Sequence, residues 1–145
     1  MDIAAFMAAA ESLSKDSVEQ LSAFYADDCH FSDPFQAVQG RRQVQAVYQD
    51  MFEHLERPCF RQVRLLGAPD HARQEIVIGW DFEFAIASGR PRQRIAGCSR
   101  LVLNAEGKIQ EHTDYWDASR LMQALPLVGP VIGWIRQKIG HPARQ

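Results

Sequence analysis

Hydrophobic residues recur at two different spacings in the two halves of the chain. In the first half they recur every three to four residues, which predicts helices over residues 3–13, 18–25 and 44–55. In the second half they mostly alternate with polar residues, which is the spacing of a half-buried strand. The predicted strands cover residues 29–33, 60–66, 74–87, 93–103 and 108–116.

The order of these elements indicates the fold class. Helices come first and most strands follow, so the chain is predicted to be an α+β domain and not an alternating α/β one. Turn residues join the long neighbouring strands at 88–91 and 104–107. We therefore expect a curved antiparallel sheet with about three helices packed on its concave face.

The C-terminal region, residues 118–140, is predicted to be a helical extension of a single domain that spans residues 1–145. Two short helices are expected there, over 119–125 and 128–139. This region is too apolar to be a free tail, so we expect it to fold onto the domain, near a pocket mouth or a dimer interface. Contact with a membrane surface is the alternative.

Composition and charge argue against several classes of function. The formal net charge is −2 and no basic cluster is present, so nucleic acid is not expected as a partner. The five histidines lack HxxxH and HExxH spacing, and no phosphate-binding loop is present, so neither a metal nor a cofactor is expected. The three cysteines form no CxxC pair, which indicates free thiols and a cytoplasmic protein. The N-terminus has no basic region and is not predicted to be a signal peptide.

The first candidate site is Asp33, at the end of a predicted strand and directly before Pro34. Phe31 and Phe35 flank it. Burial of a carboxylate among aromatic rings raises its pKa, and such a group can take up and return a proton near neutral pH. The alternative is that Asp33 caps the turn at Pro34 with its side chain.

The second candidate site is the last predicted strand. His112, Asp114 and Trp116 share one face of it, because alternate residues of a strand point the same way. Trp116 indicates that this face is the inner one, which would direct Asp114 into a cavity. The alternative is that Tyr115 is the inner residue and Asp114 is solvated. We expect Asp117 to cap the helix that follows.

The third candidate is an aromatic stripe at period two, formed by Trp80, Phe82 and Phe84. Such a stripe is typical of a hydrophobic core. In a cone-shaped fold the same surface could also be the wall of a pocket.

Several short motifs resemble those of ketosteroid isomerases. Residues 25–28 (Tyr-Ala-Asp-Asp), 33–35 (Asp-Pro-Phe) and 40–41 (Gly-Arg) resemble their first half, and residues 107–109 and 115–116 resemble their second half. The wider group is the nuclear transport factor 2-like superfamily, which includes SnoaL-like polyketide cyclases. The resemblance spans about residues 18–117 and implies a strongly bent antiparallel sheet with helices that close a cone.

The resemblance also implies roles for residues. It places the general base on Asp33. The family's oxyanion hole combines a tyrosine with a protonated aspartate, but alanines 8–10 and Ser99 stand near those places here. A serine donates a weaker hydrogen bond, so we predict that the protein is not a standard ketosteroid isomerase.

Three functions are compatible with these features. The first is a cofactor-independent isomerase, cyclase or hydrolase with Asp33 as the acid or base and Asp114 assisting it. The second is a module that binds a hydrophobic ligand without chemistry. The third is a dimerising module whose cone is filled by its own side chains; a homodimer is expected in any case. In the first two, a small hydrophobic molecule would contact Trp80, Phe82, Ser99, Trp116, Phe35 and His112.

Overall fold

A computed structural model describes residues 1–140 of the chain. It contains five α-helices, one short 3₁₀ turn at Lys15–Ser17, and six strands. The α-helices are α1 (Ile3–Glu11), α2 (Val18–Ser22), α3 (Arg41–His54), α4 (Ala118–Gln123) and α5 (Gly129–Ile139). The strands are β1 (Tyr25–Ser32), β2 (Ala37–Gln39), β3 (Glu56–Leu65), β4 (Glu75–Ala85), β5 (Gln93–Leu103) and β6 (Ile109–Trp116).

All six strands form one sheet in the order β2-β1-β6-β5-β4-β3. Each neighbouring pair is antiparallel except β1 and β6, which are parallel. The expectation of a wholly antiparallel sheet is therefore wrong at this pair. A tight turn between β5 and β6 makes those two strands antiparallel. No such turn connects β1 to β6, so the sequence pattern does not determine the direction of β1 relative to β6.

Curvature of the sheet arises partly in β3, its edge strand. The pairing of β3 with β4 shifts register twice, between Glu56 and Cys59 and between Arg61 and Arg64. Each irregularity includes a residue with positive φ, Arg57 (47°) and Gln62 (51°). Bulges of this kind bend a strand and increase its twist. The fold class predicted from the sequence, a curved α+β sheet with helices on one face, is confirmed.

Three helices, α1 to α3, pack against one face of the sheet and enclose the core. The second of them is shorter than predicted. It ends at Ser22, and Tyr25 begins β1, although the sequence pattern placed Tyr25 on the helix and began the strand at Cys29. Tyr25 pairs with Ile109 of β6, so pairing with a distant strand overrides the local helical spacing.

The C-terminal helices α4 and α5 pack against each other. Asp117 caps α4 as predicted, because its Oδ1 accepts from Ser119 N at 3.0 Å. The inner face of α5 carries Gly129, buried against Gln123 of α4, and Arg136, which donates to the same glutamine at 3.3 Å. The apolar stripe that was expected to dock onto the domain is instead exposed. Among the described residues, no helix is long and apolar enough to cross a membrane.

Candidate active site

A small cavity lies between the helices and the concave face of the sheet. Its volume is about 20 Å³, which is room for one water molecule. Phe6 of α1 covers it, and Leu21, Phe60, Ile78 and Trp80 contribute further apolar walls. The polar lining consists of four side chains: Tyr48, Ser99, His112 and Asp114.

Strand alternation and register bring these polar groups together. His112 and Asp114 are alternate residues of β6, so both point inward, and Ser99 of β5 lies directly opposite Asp114. Trp80 of β4 lies opposite Gly97 of β5. A Cβ atom at Gly97 would collide with the Trp80 indole, so glycine allows the ring to lie across β5. The indole Nε1 can then donate to Ser99 Oγ at 2.8 Å.

A continuous chain of hydrogen bonds runs through the cavity wall. Asp114 Oδ1 accepts from Ser99 Oγ at 2.5 Å and lies 2.7 Å from His112 Nε2. His112 Nδ1 is 2.7 Å from the Tyr25 hydroxyl, which is 3.2 Å from the Tyr48 hydroxyl. One arrangement of protons satisfies all of these contacts. Tyr48 donates to Tyr25, Tyr25 donates to Nδ1 of a neutral imidazole, and Nε2–H donates to the carboxylate.

The second carboxylate oxygen of Asp114 is the position that this arrangement leaves without a hydrogen-bond partner. Among the described residues, none forms a hydrogen bond with Oδ2, and the Asp114 side chain keeps 13% of its surface exposed. A carboxylate held by two donors on one oxygen has a fixed orientation. Its other oxygen can accept a proton from a molecule in the cavity.

The two tyrosines remain neutral and serve as hydrogen-bonding groups. Burial raises the pKa of Tyr25 well above its ordinary value, and the neighbouring Tyr48 adds to this effect. Burial also raises the pKa of Tyr48, and the negative charge of Asp114 adds to the rise. Sequence analysis missed both residues as site residues, because each has the helical spacing of an apolar face that is typical of a core.

Asp33 lies apart from this cavity, in the turn after β1. Its Oδ1 accepts from the backbone N–H groups of Phe35 (2.7 Å) and Gln36 (3.0 Å), and its Oδ2 accepts from the Gln36 side chain (2.9 Å). These are the contacts of the turn-capping alternative. The charge of Asp33 still contributes to the raised pKa of Tyr48, so its carboxylate acts electrostatically on one end of the hydrogen-bonded chain.

Capping by Asp33 leads to a stability prediction. Asp33→Ala removes the acceptor for two backbone N–H groups and should lower the free energy of unfolding by about 0.5–2 kcal/mol. Asp33→Asn is the matched variant, because its amide oxygen can still accept both backbone hydrogen bonds. Its free energy of unfolding should therefore fall by less than that of Asp33→Ala. Urea unfolding of the three proteins at pH 7 measures the difference. Equal stability of Asp33→Ala and the unmodified protein would contradict the capping role.

The remaining aromatic candidates lie outside the small cavity. Phe35 is half exposed and meets Trp116 edge-to-face, with ring centroids 5.4 Å apart. Phe82 stacks on Phe84 at 5.0 Å and lies at the same distance from Phe60. Both Trp116 and Phe82 pack against the core. Of the eight residues proposed from the sequence, the cavity therefore brings together Trp80, Ser99, His112 and Asp114.

A larger depression lies on the surface beside the start of α3. It has a volume of about 700 Å³ and is open to solvent. Its basic residues include Arg41, which pairs with Asp27, and Arg42. It brings together no buried acid–base pair comparable with His112 and Asp114, so we place the candidate site in the small cavity. In the described part of the chain, no group of three or more His, Cys, Asp or Glu residues could hold a metal ion.

Comparison with known proteins identifies the relatives of this chain. The family model described as a SnoaL-like domain matches residues 3–112. A proposed polyketide cyclase from Xanthomonas campestris pv. campestris superposes with a TM-score of 0.67 at 15% identity, over 82% of this chain and 90% of the other. A proposed isomerase from Bacillus subtilis gives 0.66 at 14% identity, over 84% and 88%. SalBIII, described as an epoxide hydrolase/cyclase-like enzyme, gives 0.65 at 14% identity, over 81% and 89%. No match was found among curated proteins.

Proposed function

We propose that this chain, which belongs to the SnoaL-like family, is a cofactor-independent acid–base enzyme of the isomerase, cyclase or hydrolase type. The observation that carries the proposal is the orientation of Asp114. His112 and Ser99 hold its Oδ1, no described residue bonds its Oδ2, and Asp114 lines the cavity. Fold likeness alone would not fix a function, because one fold hosts many chemistries.

In this proposal Asp114 moves the proton and the residues around it keep it oriented. Oδ2 removes a proton from a carbon or oxygen of the substrate, or from a water that attacks it. The same oxygen can later return that proton to the product. His112 and Ser99 stabilise the carboxylate through Oδ1. This differs from the sequence-based proposal, in which Asp33 was the base and Asp114 assisted it.

The substrate class follows from the walls of the cavity. They are mainly apolar, so a small hydrophobic molecule fits their chemistry. A volume of about 20 Å³ does not hold such a molecule, so the roof of the cavity has to move for a substrate to enter. Phe6 of α1 belongs to that roof. The names of the structural relatives, a polyketide cyclase, an isomerase and an epoxide hydrolase/cyclase-like enzyme, support acid–base chemistry on such a substrate.

The small volume also favours a second candidate function. A cone that is filled by its own side chains is the property expected of a module that dimerises without chemistry. A homodimer remains a prediction, which light scattering on the purified protein can test. We also propose a cytoplasmic location, because Cys29, Cys59 and Cys98 are all free thiols. Cell fractionation tests that location.

Two reactions of small molecules test the catalytic proposal without knowledge of the natural substrate. One is exchange of the α-protons of butanone for deuterium in D₂O, followed by NMR. The other is hydration of 1,2-epoxybutane. We expect the protein to accelerate at least one of them, and Asp114→Asn to lose that acceleration. If neither rate exceeds the buffer rate while either compound raises the melting temperature, the chain is a binding module.

A Δ5-3-ketosteroid should not be isomerised at an appreciable rate. The Ser99 hydroxyl donates to Asp114, and the tyrosine hydroxyls are engaged within the hydrogen-bonded chain, so neither is free to stabilise an oxyanion. Loss of one oxyanion donor costs roughly 10²–10³ in rate. The absorbance of the conjugated product measures the reaction. Rapid isomerisation would refute this expectation and restore ketosteroid isomerisation as the activity.

A further inference from the structure

The outer face of α5 carries a stripe of large apolar side chains that no described residue covers. Trp134 is 59% exposed, Val131 56% and Ile139 82%, and Leu127, directly before the helix, is 89% exposed. Val128 and Ile135 complete the row and are exposed to 41% and 38%. Single exposed apolar residues are ordinary on a protein surface, but a continuous row of six marks an interaction surface. We call these six residues the α5 stripe.

The two faces of α5 have opposite characters. Toward α4 it presents Gly129, which allows the helix backbones to approach closely, and Arg136, which hydrogen-bonds with Gln123 and Ser119. Its bulky apolar residues, at spacings of three and four, point the other way. A helix that served only to close the domain would turn its large side chains inward. The α5 stripe is therefore available for contact with another molecule.

Charge identifies the kind of partner. After Asp117 the sequence contains four basic residues (Arg120, Arg136, Lys138 and Arg144) and no Asp or Glu, so residues 118–145 carry a formal charge of +4. Residues 1–117 hold the other 12 basic residues and all 18 acidic ones, a formal charge of −6. The ammonium of Lys138 lies over the Trp134 ring, 5.8 Å from its centre, so a positive charge adjoins the α5 stripe.

We propose that the α5 stripe docks on the surface of an anionic lipid bilayer. Exposed Trp and aliphatic residues beside Lys and Arg are the combination that inserts into the boundary between headgroups and acyl chains. At 11 residues, α5 is about 16 Å long and would lie along the surface without crossing it. The inference is independent of the acid–base chemistry proposed for the cavity.

A second copy of the chain fits the α5 stripe less well. Arg136 already pairs with Asp117, the N-cap of α4, at 3.4 Å. In a two-fold pair of α5 helices, Lys138 of each would face a surface without further acidic residues, because neither α4 nor α5 carries any. Lys138 would then be removed from water without a partner, at a cost in free energy. Anionic headgroups supply the missing negative charge.

Vesicle flotation with the full-length protein tests this docking. Vesicles of phosphatidylcholine alone are compared with vesicles that contain 30% phosphatidylglycerol, at low and at high salt. Lys138 is the described basic residue that adjoins the α5 stripe, and one such residue near an anionic surface is worth about a factor of five. Binding to the anionic vesicles should therefore be about five-fold tighter and should weaken with salt. Trp134 fluorescence should shift to the blue on binding. Trp134→Phe should still bind, because it keeps an apolar ring, but its fluorescence should lack the shift contributed by Trp134.

Matched variants separate docking by the α5 stripe from other causes of binding. Leu127→Ser combined with Trp134→Ser should abolish flotation, whereas Tyr115→Ser, at an exposed aromatic residue of β6, should not. Lys138→Gln should weaken binding about five-fold, and Lys15→Gln, a distant exposed lysine, should leave it unchanged. Flotation of the double variant, or no flotation of the unmodified protein at 1 mM lipid, would overturn the proposal. So would light scattering that shows a dimer which the double variant dissociates, because a second copy then covers the α5 stripe.

Discussion

Asp114→Asn should lower the rate of any reaction that the protein catalyses by roughly 10²–10⁴, the usual contribution of a positioned acid or base. Asparagine has nearly the same shape, and its amide oxygen can still accept from His112 and Ser99 in place of Oδ1. The group at the position of Oδ2 becomes an amide NH₂, which cannot take up a proton. The fold should therefore persist while proton transfer is lost.

The same assay distinguishes the two carboxylates that the sequence proposed. Asp33→Asn keeps the turn contacts and lies outside the cavity, so it should retain most of the activity. Deuterium exchange of butanone, or epoxide hydration, provides the readout for both variants, and circular dichroism confirms that each is folded. Loss of activity in Asp33→Asn with full activity in Asp114→Asn would return the base to Asp33 and refute the arrangement proposed here.

His112 and Ser99 are positioning residues in this scheme. Each holds Asp114 Oδ1, and each is itself held by a third group, His112 by Tyr25 and Ser99 by Trp80. A carboxylate supported in this way has little freedom to rotate, so the oxygen without a hydrogen-bond partner keeps a fixed position. Such preorganisation lets fixed groups stabilise charge without reorganising during the reaction.

Local sequence was sufficient to predict the elements in which neighbours along the chain determine the structure. The alternation in β4 and β5 and the turn at 104–107 are read from adjacent residues. In that turn Asn104 Oδ1 accepts from the N–H groups of Glu106 and Lys108, and Gly107 supplies the positive φ of 74°. Strand parity also placed His112 and Asp114 on the inner face.

The parts that sequence could not predict depend on contacts between distant residues. Tyr25 joins β1 because it pairs with Ile109, 84 positions later, and only that pairing brings its hydroxyl to His112. Tyr48 then reaches the Tyr25 hydroxyl from α3. No spacing within either segment indicates that the two hydroxyls meet. The local pattern around Asp33 was compatible with a proton carrier as well as with a turn cap, and the structure contains the turn contacts.

The buried tyrosines should make the protein sensitive to high pH. Their folded pKa values are raised, mainly by burial, above the value near 10 of an unfolded chain. Above pH 10 the unfolded chain therefore releases protons that the folded protein keeps. The free energy of unfolding falls as pH rises, because the unfolded state binds fewer protons. The stability from this source is fully present below pH 10 and is lost as pH climbs toward the folded pKa values. At pH 11.5 the loss from Tyr48 should be about 2 kcal/mol, and Tyr25 adds to it in the same direction.

Tyr48→Phe isolates this effect, because Tyr48 lies at the end of the hydrogen-bonded chain and its removal leaves the Tyr25–His112 contact in place. Urea unfolding between pH 8 and pH 11.5 should show a loss of stability about 2 kcal/mol smaller in this variant than in the unmodified protein. Tyr115→Phe is the control, since Tyr115 is the third tyrosine and is 55% exposed, and it should follow the unmodified protein. Burial also raises the pKa of Cys29. The resulting loss of stability at high pH is the same in the unmodified protein, Tyr48→Phe and Tyr115→Phe. If Tyr48→Phe loses as much stability at high pH as the control does, the Tyr48 hydroxyl is not the buried, neutral group on which the proposed proton arrangement rests.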